Sequence, residues 1–118
     1  MIQRINTVAV VVKDKKKAVE WYRDKLGFAV RVNSGDHWVE VCPPGAETGI
    51  HLCEATGNFE PDKTGICFTV DDVRGEREGL GRRGVQFTKE PWQYSPGLWL
   101  AQFQDLDGNI FVIQHSTE

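Results

Sequence analysis

The chain has 118 residues, 40% of them hydrophobic and 26% charged, a balance that excludes a disordered or low-complexity chain. Its formal net charge of −3 disfavours binding to a nucleic-acid backbone, so we expect no nucleic-acid partner. No apolar run approaches the length of about 18 residues that spans a bilayer, and the three cysteines form no CxxC pair. We therefore expect a cytoplasmic protein with no membrane partner and no disulfides.

The first half of the sequence predicts a βαβββ unit. The β-branched run Ile5–Val12 indicates a buried strand, and Asp14 is a good N-cap for a helix over Lys15–Leu26. Gly27 suits the left-handed end of that helix. The apolar stripe of the helix consists of Ala18, Trp21, Tyr22 and Leu26. Three further strands are predicted at Phe28–Val32, Trp38–Cys42 and Gly49–Glu54.

The second half repeats this order of elements. Gly65–Val70 predicts a strand, and Asp71 and Asp72 offer an N-cap for a helix over Val73–Arg83, which Gly84 would end. The last three strands are predicted at Val85–Thr88, Leu98–Gln104 and Asn109–Gln114. We therefore expect one domain over 1–118, built from a first module at 1–57, a linker at 58–63 and a second module at 64–118.

The predicted strands have one bulky apolar face and one face of small or polar side chains. On the first strand, Val10 and Val12 alternate with Thr7 and Ala9. Small residues leave volume unfilled and polar residues need partners, so the second face is a poor core and a plausible trough for a small-molecule ligand. The alternatives are that this face meets solvent or is covered by a partner chain.

His51 is the most informative single residue of the predicted trough, which it shares with Thr7 and Cys53. Its imidazole is suited to donating a hydrogen bond to a ligand or acting as a general base, and the alternative is a buried histidine satisfied by a neighbouring strand. We expect the three cysteines to be small buried hydrophobes. His37 and His115 are expected at the surface.

Aromatic side chains are concentrated in or beside the strands of the predicted trough. Offset stacking on their flat rings would hold a planar ligand, whereas the alternative is that they fill a dimer seam or close the end of the sheet. The segment Pro91–Gly97 predicts a rim or lid loop. Gln102 and Gln114 would add directed hydrogen bonds from the second module. The aromatic candidates are Trp38, Trp92, Tyr94 and Trp99.

Several segments, taken in order, resemble the vicinal oxygen chelate superfamily of glyoxalase I, bleomycin-resistance proteins and extradiol dioxygenases. The resemblance implies an α+β fold in which two tandem βαβββ modules form a cupped eight-stranded mixed sheet with helices on the outer face. It also implies a homodimer with ligand clefts near the subunit interface. The matching segments are INTVAVVVKD (5–14), AVEWYRDKLGF (18–28), TVDDV (69–73) and FQDLDGN (103–109), in which Leu106 replaces the usual proline.

The enzymes of this superfamily hold a divalent metal with His, Glu or Gln side chains from four strand positions. The matching positions here are Thr7, His51, Gly65 and Val112. Only His51 has a side chain of the required type, whereas a catalytic metal needs about three protein ligands. We therefore predict no metal and no cofactor. The residues that remain as donors by a different route are Glu40, Glu54, Asp36 and His37.

The sequence thus predicts a glyoxalase- and bleomycin-resistance-like protein, metal-free, that binds or sequesters an aromatic or planar organic ligand in a homodimer cleft. The alternatives are a metal-dependent lyase, isomerase or dioxygenase acting on a vicinal-oxygen substrate, and a dimerisation module that has lost its ligand. No catalytic residue is assigned. The predicted ligand-binding residues are Thr7, Trp38, His51, Cys53, Trp92, Tyr94, Trp99, Gln102 and Gln114.

Overall fold

The structure is a computed structural model that describes residues 1–35 and 37–117. It forms two compact units, Met1–Glu60 and Pro61–Glu118, whose boundary falls inside the predicted linker. Each unit has the element order βαβββ, which confirms the predicted α+β class and its two tandem modules. The eight strands are hydrogen-bonded as two mixed sheets of four strands each.

In the first unit, the sheet has the strand order β1-β4-β3-β2, with β1 and β4 parallel and the other pairs antiparallel. Both predicted helix ends are confirmed. The Asp14 carboxylate accepts a hydrogen bond from the Lys17 amide at 3.2 Å, and Gly27 closes the helix at φ 72°. The elements are β1 (Thr7–Val12), α1 (Lys15–Leu26), β2 (Ala29–Asn33), β3 (Val39–Cys42) and β4 (Gly49–Glu54).

The core of the first unit lies between α1 and one face of its sheet. Tyr22 of α1 is fully buried, as are Val12 of β1 and Leu52 of β4. Because strand side chains alternate, burying Val10 and Val12 directs Ala9 and Val11 to the opposite side. Val11 is accordingly 45% exposed, and we call this side the open face of the first sheet.

The second unit repeats the arrangement, with the strand order β5-β8-β7-β6 and β5 parallel to β8. Its core contains three stacked rings, Phe68, Phe103 and Phe111, whose centroids are 5.6–6.4 Å apart. Val73 and Leu80 of α2 are buried as well. The elements are β5 (Lys63–Thr69), α2 (Val73–Arg82), β6 (Gln86–Ser95), β7 (Leu98–Gln104) and β8 (Ile110–Ser116).

Strand β6 differs most from the prediction, because it continues to Ser95 instead of ending at Thr88. Trp92 pairs with Leu100 and Gln93 with Trp99, so the rim or lid loop predicted from Pro91 is wrong as far as Ser95. β6 is an edge strand with three register shifts along its pairing to β7, and such a strand tolerates a proline. The turn to β7 is made only at Gly97, which has φ 80°.

The turn between β7 and β8 is held by two buried polar side chains, Asp105 and Asn109. The Asp105 carboxylate accepts hydrogen bonds from the backbone and the side-chain amide of Asn109, both at 2.9 Å. These residues of the FQDLDGN segment therefore have a structural role. Within residues 1–35 and 37–117, neither α1 nor α2 is long and apolar enough to span a membrane.

Candidate functional site

The open face of the first sheet brings together three of the predicted site residues from β1 and β4. Thr7 is paired with Gly49, Ala9 with His51 and Val11 with Cys53, so His51 and Cys53 project on the same side as Thr7. On the other flank of β4, Glu40 of β3 is the cross-strand partner of His51. The alternation of strand side chains alone was sufficient to predict this grouping.

Trp38 covers His51 on this face. The two rings are stacked with centroids 3.5 Å apart and planes inclined by 16°. The indole Nε1 of Trp38 donates a hydrogen bond to Oε2 of Glu40 at 2.5 Å. Trp38 nevertheless remains 40% exposed as a residue, although its ring has contacts with His51 and Glu40.

Glu40 anchors this arrangement and is only 5% exposed. Arg31 donates to its Oε1 through Nε at 2.8 Å and lies 2.7 Å from the same atom through Nη2. The hydrogen bond from Trp38, and then the hydrogen bond and positive charge of Arg31, hold the pKa of Glu40 below its usual value despite burial. Glu40 is thus a charged, fully engaged carboxylate at neutral pH.

Arg31 also donates hydrogen bonds to the backbone of two segments, one before β1 and one before β4. Its Nη2 donates to the Asn6 carbonyl at 3.0 Å and its Nη1 to the Glu47 carbonyl at 2.5 Å. We did not identify Arg31 or treat Glu40 as a structural residue from the sequence. The available signal was a single carboxylate in the buried strand VEVC, which requires a cationic or hydrogen-bonding partner.

His51 and Cys53 are in contact. The Cys53 Sγ lies 3.3 Å from Nδ1 and 3.7 Å from Nε2 of His51, and both residues are half-buried. Burial raises the pKa of the Cys53 thiol, and the positive charge of Lys15 opposes this only in part. The thiol is therefore protonated at neutral pH, and its similar distances to the two ring nitrogens place the sulfur over the face of the imidazole.

The side chains at the superfamily's metal positions do not fit a divalent metal. Thr7 offers a neutral hydroxyl, Gly65 and Val112 offer no donor atom, and the Glu40 carboxylate is occupied by Arg31 and Trp38. Among residues 1–35 and 37–117, no three His, Cys, Asp or Glu side chains are grouped in a way that would hold an ion. Asp36, one of the alternative donors, lies outside the described residues.

On the second sheet, three predicted site residues share one face. Trp92 pairs with Leu100, which pairs in turn with Gln114, while Gln102 pairs with Val112. The two glutamines already have partners, since Gln114 Nε2 donates to Thr69 Oγ1 at 2.7 Å and Thr88 Oγ1 donates to Gln102 Oε1 at 3.0 Å. A ligand hydrogen-bonded to either amide would need to share or displace these contacts.

Trp99 and Tyr94 lie elsewhere on the second unit. Trp99 is paired with His115 and therefore points to the face opposite Leu100 and Gln114, where the Arg74 guanidinium lies 4.2 Å from its ring centroid. Tyr94 is 68% exposed near the end of β6. The trough contact of Trp99 stays a prediction, but its ring is not on the face that carries Trp92.

His115 is half-buried, not a surface residue as we expected. Its Nδ1 accepts a hydrogen bond from the backbone amide of Val73 at 2.9 Å. Since Val73 is the first residue of α2, the imidazole satisfies one of the amides that a helix N-terminus leaves open. This contact joins two elements that are far apart in the sequence, which no local pattern reveals.

The match to known proteins agrees with this architecture. Residues 4–113 match the Glyoxalase/Bleomycin resistance protein/Dioxygenase superfamily. The chain belongs to this superfamily. A relative of this chain is YetH of Bacillus subtilis (strain 168), an uncharacterized protein that is 37% identical, with the alignment covering 97% of this chain and 99% of YetH.

Two solved structures of the superfamily fold closely match the present one. A superfamily member from Sphaerobacter thermophilus DSM 20745 has a TM-score of 0.85 and 30% identity, covering 96% of this chain and 97% of that chain. TnmS3, an antibiotic binding protein from Streptomyces sp. CB03234, has a TM-score of 0.84 and 28% identity, covering 98% of both chains. TnmS3, an antibiotic binding protein, is therefore similar to this chain in fold over nearly the whole length of both.

Proposed function

We propose that this superfamily member binds and sequesters a planar organic molecule by stacking it on Trp38, without a metal ion. The observation that carries the proposal is that Trp38 is 40% exposed as a residue while His51 and Glu40 hold its indole ring in place. A ring that is already ordered loses little side-chain entropy when a ligand stacks on it. Stacking adds about 0.5–1.5 kcal/mol beyond the area it buries.

The chemistry around Trp38 favours recognition over metal-dependent catalysis. His51 is the single ligand-type side chain among the four superfamily positions, and Glu40 is committed to Arg31 and Trp38. Small residues such as Ala9 leave room on the same face. The likeness to TnmS3, an antibiotic binding protein, supports an antibiotic or a related aromatic compound as the class of ligand.

The remaining predicted contacts and the assembly form part of the same proposal. Thr7, His51 and Cys53, which share the open face of the first sheet, would border the ligand. Trp92, Tyr94, Gln102 and Gln114 are the predicted ligand-binding residues of the second unit by itself, and Trp99 lies on the other face of its sheet. We propose a cytoplasmic homodimer with the ligand near the subunit interface, as the superfamily resemblance implies. A sedimentation mass of a 13.3 kDa monomer at micromolar concentration would contradict the dimer.

The proposal predicts that Trp38 contributes substantially to the binding free energy. Fluorescence titration and thermal shift of the whole protein would use bleomycin, an anthracycline and a fluoroquinolone as probes. We expect saturable binding of at least one probe and a roughly tenfold weaker Kd in Trp38→Leu, because about 1.4 kcal/mol of stacking and burial is lost.

Trp21→Phe is the matched control, since Trp21 lies on α1 and packs edge-on against Tyr22 at 5.2 Å. We expect this variant to bind each probe as the wild type does. Binding that is absent for all three probes, or that is equal in Trp38→Leu and the wild type, would rule out the stacking proposal.

A further inference from the structure

The guanidinium of Arg31 is fixed by contacts with three other parts of the first unit. Its Nε and Nη2 lie 2.8 and 2.7 Å from Oε1 of Glu40. Nη2 also donates a hydrogen bond to the Asn6 carbonyl at 3.0 Å, and Nη1 donates to the Glu47 carbonyl at 2.5 Å. All three nitrogens of this planar group are therefore engaged, and together these contacts determine where the guanidinium lies.

The absence of a side chain at Gly49 makes room for this guanidinium. A Cβ atom at position 49 would lie 2.8 Å from Nη2 and 3.1 Å from Cζ of Arg31, which is closer than van der Waals contact allows. Gly49 does not need the conformational freedom of glycine, because it is paired with Thr7 in the sheet and its φ is not positive. The missing side chain would project onto the open face, two positions before His51. The space that it would fill is occupied by Arg31.

Glu40 transmits the constraint from Arg31 to Trp38. Because two nitrogens of Arg31 hold Oε1 of Glu40, Oε2 is left directed at the indole Nε1 of Trp38, which donates to it at 2.5 Å. A hydrogen bond to an ionised carboxylate is about twice as strong as one between neutral groups. Since this bond engages the indole N–H, Trp38 can offer a ligand its ring but no hydrogen bond.

We propose that Arg31 is a positioning residue for ligand binding, which acts through Glu40 to hold the ring of Trp38. This inference rests on the proposed function for the role of Trp38 as a stacking surface, and it deepens that function by naming the residue that orders the ring. Because Arg31 also binds the carbonyls of Asn6 and Glu47, it couples the orientation of the ring to the segment before β1 and the turn before β4. A ring that is held in this way loses less side-chain entropy when a ligand stacks on it.

The test follows the indole N–H of Trp38 by ¹H–¹⁵N NMR of the whole protein, without any ligand. Trp38→Phe assigns the resonance by its absence. In Arg31→Met, which removes the guanidinium, we expect this resonance to move upfield and the N–H to exchange with water at least about tenfold faster, because a hydrogen bond to a charged group is lost. A merely structural role of Arg31 would lower the melting temperature and leave the Trp38 N–H of the folded variant unchanged. That result would overturn the inference.

Gly49→Ala is the second variant, because it displaces the guanidinium of Arg31 without removing any of the side chains that contact it. We expect its Trp38 N–H to change in the same direction as in Arg31→Met. Gly57→Ala is the matched control, since the φ of Gly57 is not positive and a Cβ atom there would meet no atom within 4 Å. The Trp38 N–H of this control should be the same as that of the wild type.

A double-mutant cycle separates the displacement of Arg31 from an effect on the backbone, since a Cβ atom at position 49 would also lie 3.3 Å from the Val41 carbonyl oxygen. If Gly49→Ala acts through Arg31, it should change the Trp38 N–H little further in the Arg31→Met background. Additive effects of the two substitutions would overturn the inference. Arg31→Lys replaces Arg31→Met if that variant does not fold, because lysine keeps the positive charge but offers a single nitrogen.

Probe titrations distinguish a failure of this inference from a failure of the proposed function. We expect Arg31→Met and Gly49→Ala to bind the probe that the wild type binds with a Kd about two- to tenfold weaker, because the ring must then be ordered on binding. Trp38-dependent probe binding with an unchanged Trp38 N–H in both variants would remove only the positioning role. A Trp38 N–H that depends on Arg31, with no binding of bleomycin, the anthracycline or the fluoroquinolone, would remove the stacking proposal and leave Arg31 as the residue that orders the ring.

Discussion

Glu40 is the residue on which the open face of the first sheet depends. It is buried between two partners, the cationic Arg31 and the hydrogen-bond donor Trp38. By holding the indole of Trp38, Glu40 also positions the ring that stacks on His51. A buried carboxylate is tolerated only when its charge is paired and its oxygens are hydrogen-bonded. Both oxygens of Glu40 meet this condition.

Replacing Glu40 by glutamine should destabilise the protein in a pH-dependent way. Because the folded-state pKa of Glu40 is lowered, its contribution to stability is complete above its unfolded-state pKa of about 4.3 and is lost as the pH falls through the folded value. We expect Glu40→Gln to cost about 1–3 kcal/mol in the free energy of unfolding at pH 7. The difference from wild type should shrink below about pH 4.

Urea denaturation at pH 7 and at pH 3.5 measures this difference. Glu20→Gln, an exposed substitution on α1, is the matched control and should change stability little at either pH. A destabilisation of Glu40→Gln that is the same at both pH values would show that its charge is not what stabilises the fold.

At the scale of elements, local sequence signals predicted the helix ends, because local interactions determine where a helix begins and ends. Asp14 and Gly27 bound α1 as expected, because a cap needs only the first or last turn of its own helix. The length of β6 was missed because Pro91 suggests a loop, whereas pairing with β7 extends the strand to Ser95. Strand length depends on pairing with a neighbouring strand, which the residues of one segment do not reveal by themselves.

The start of α2 provides a test at this scale. His115→Phe keeps an aromatic ring but removes the acceptor for the Val73 amide, so we expect a loss of about 1–2 kcal/mol in the free energy of unfolding. Urea denaturation measures the loss. His37→Phe, on an exposed loop of the first unit, is the control, and equal stability of the two variants would contradict a capping role for His115.

For the molecule as a whole, the duplicated order of elements was predictable and the side-chain network was not. Repetition of a strand, an aspartate cap and a glycine-ended helix identified both modules, and the family match confirmed the resemblance. The alternation of side chains along a strand was sufficient to predict that Thr7, His51 and Cys53 project to the same side of the first sheet. The contacts of Arg31, Glu40 and Trp38 depend on long side chains that cross strands, and strand patterns leave their directions open.

The proposed function requires that this superfamily member recognises its ligand without a coordinated cation. The most direct measurement is the metal content of the protein after incubation with nickel, zinc, manganese or iron(II) and removal of free metal. We expect less than about 0.1 ion per chain, with the same value in His51→Ala, because at most one suitable side chain is present where about three are required. One ion per chain that is lost in His51→Ala would contradict the central claim and favour a metal-dependent enzyme.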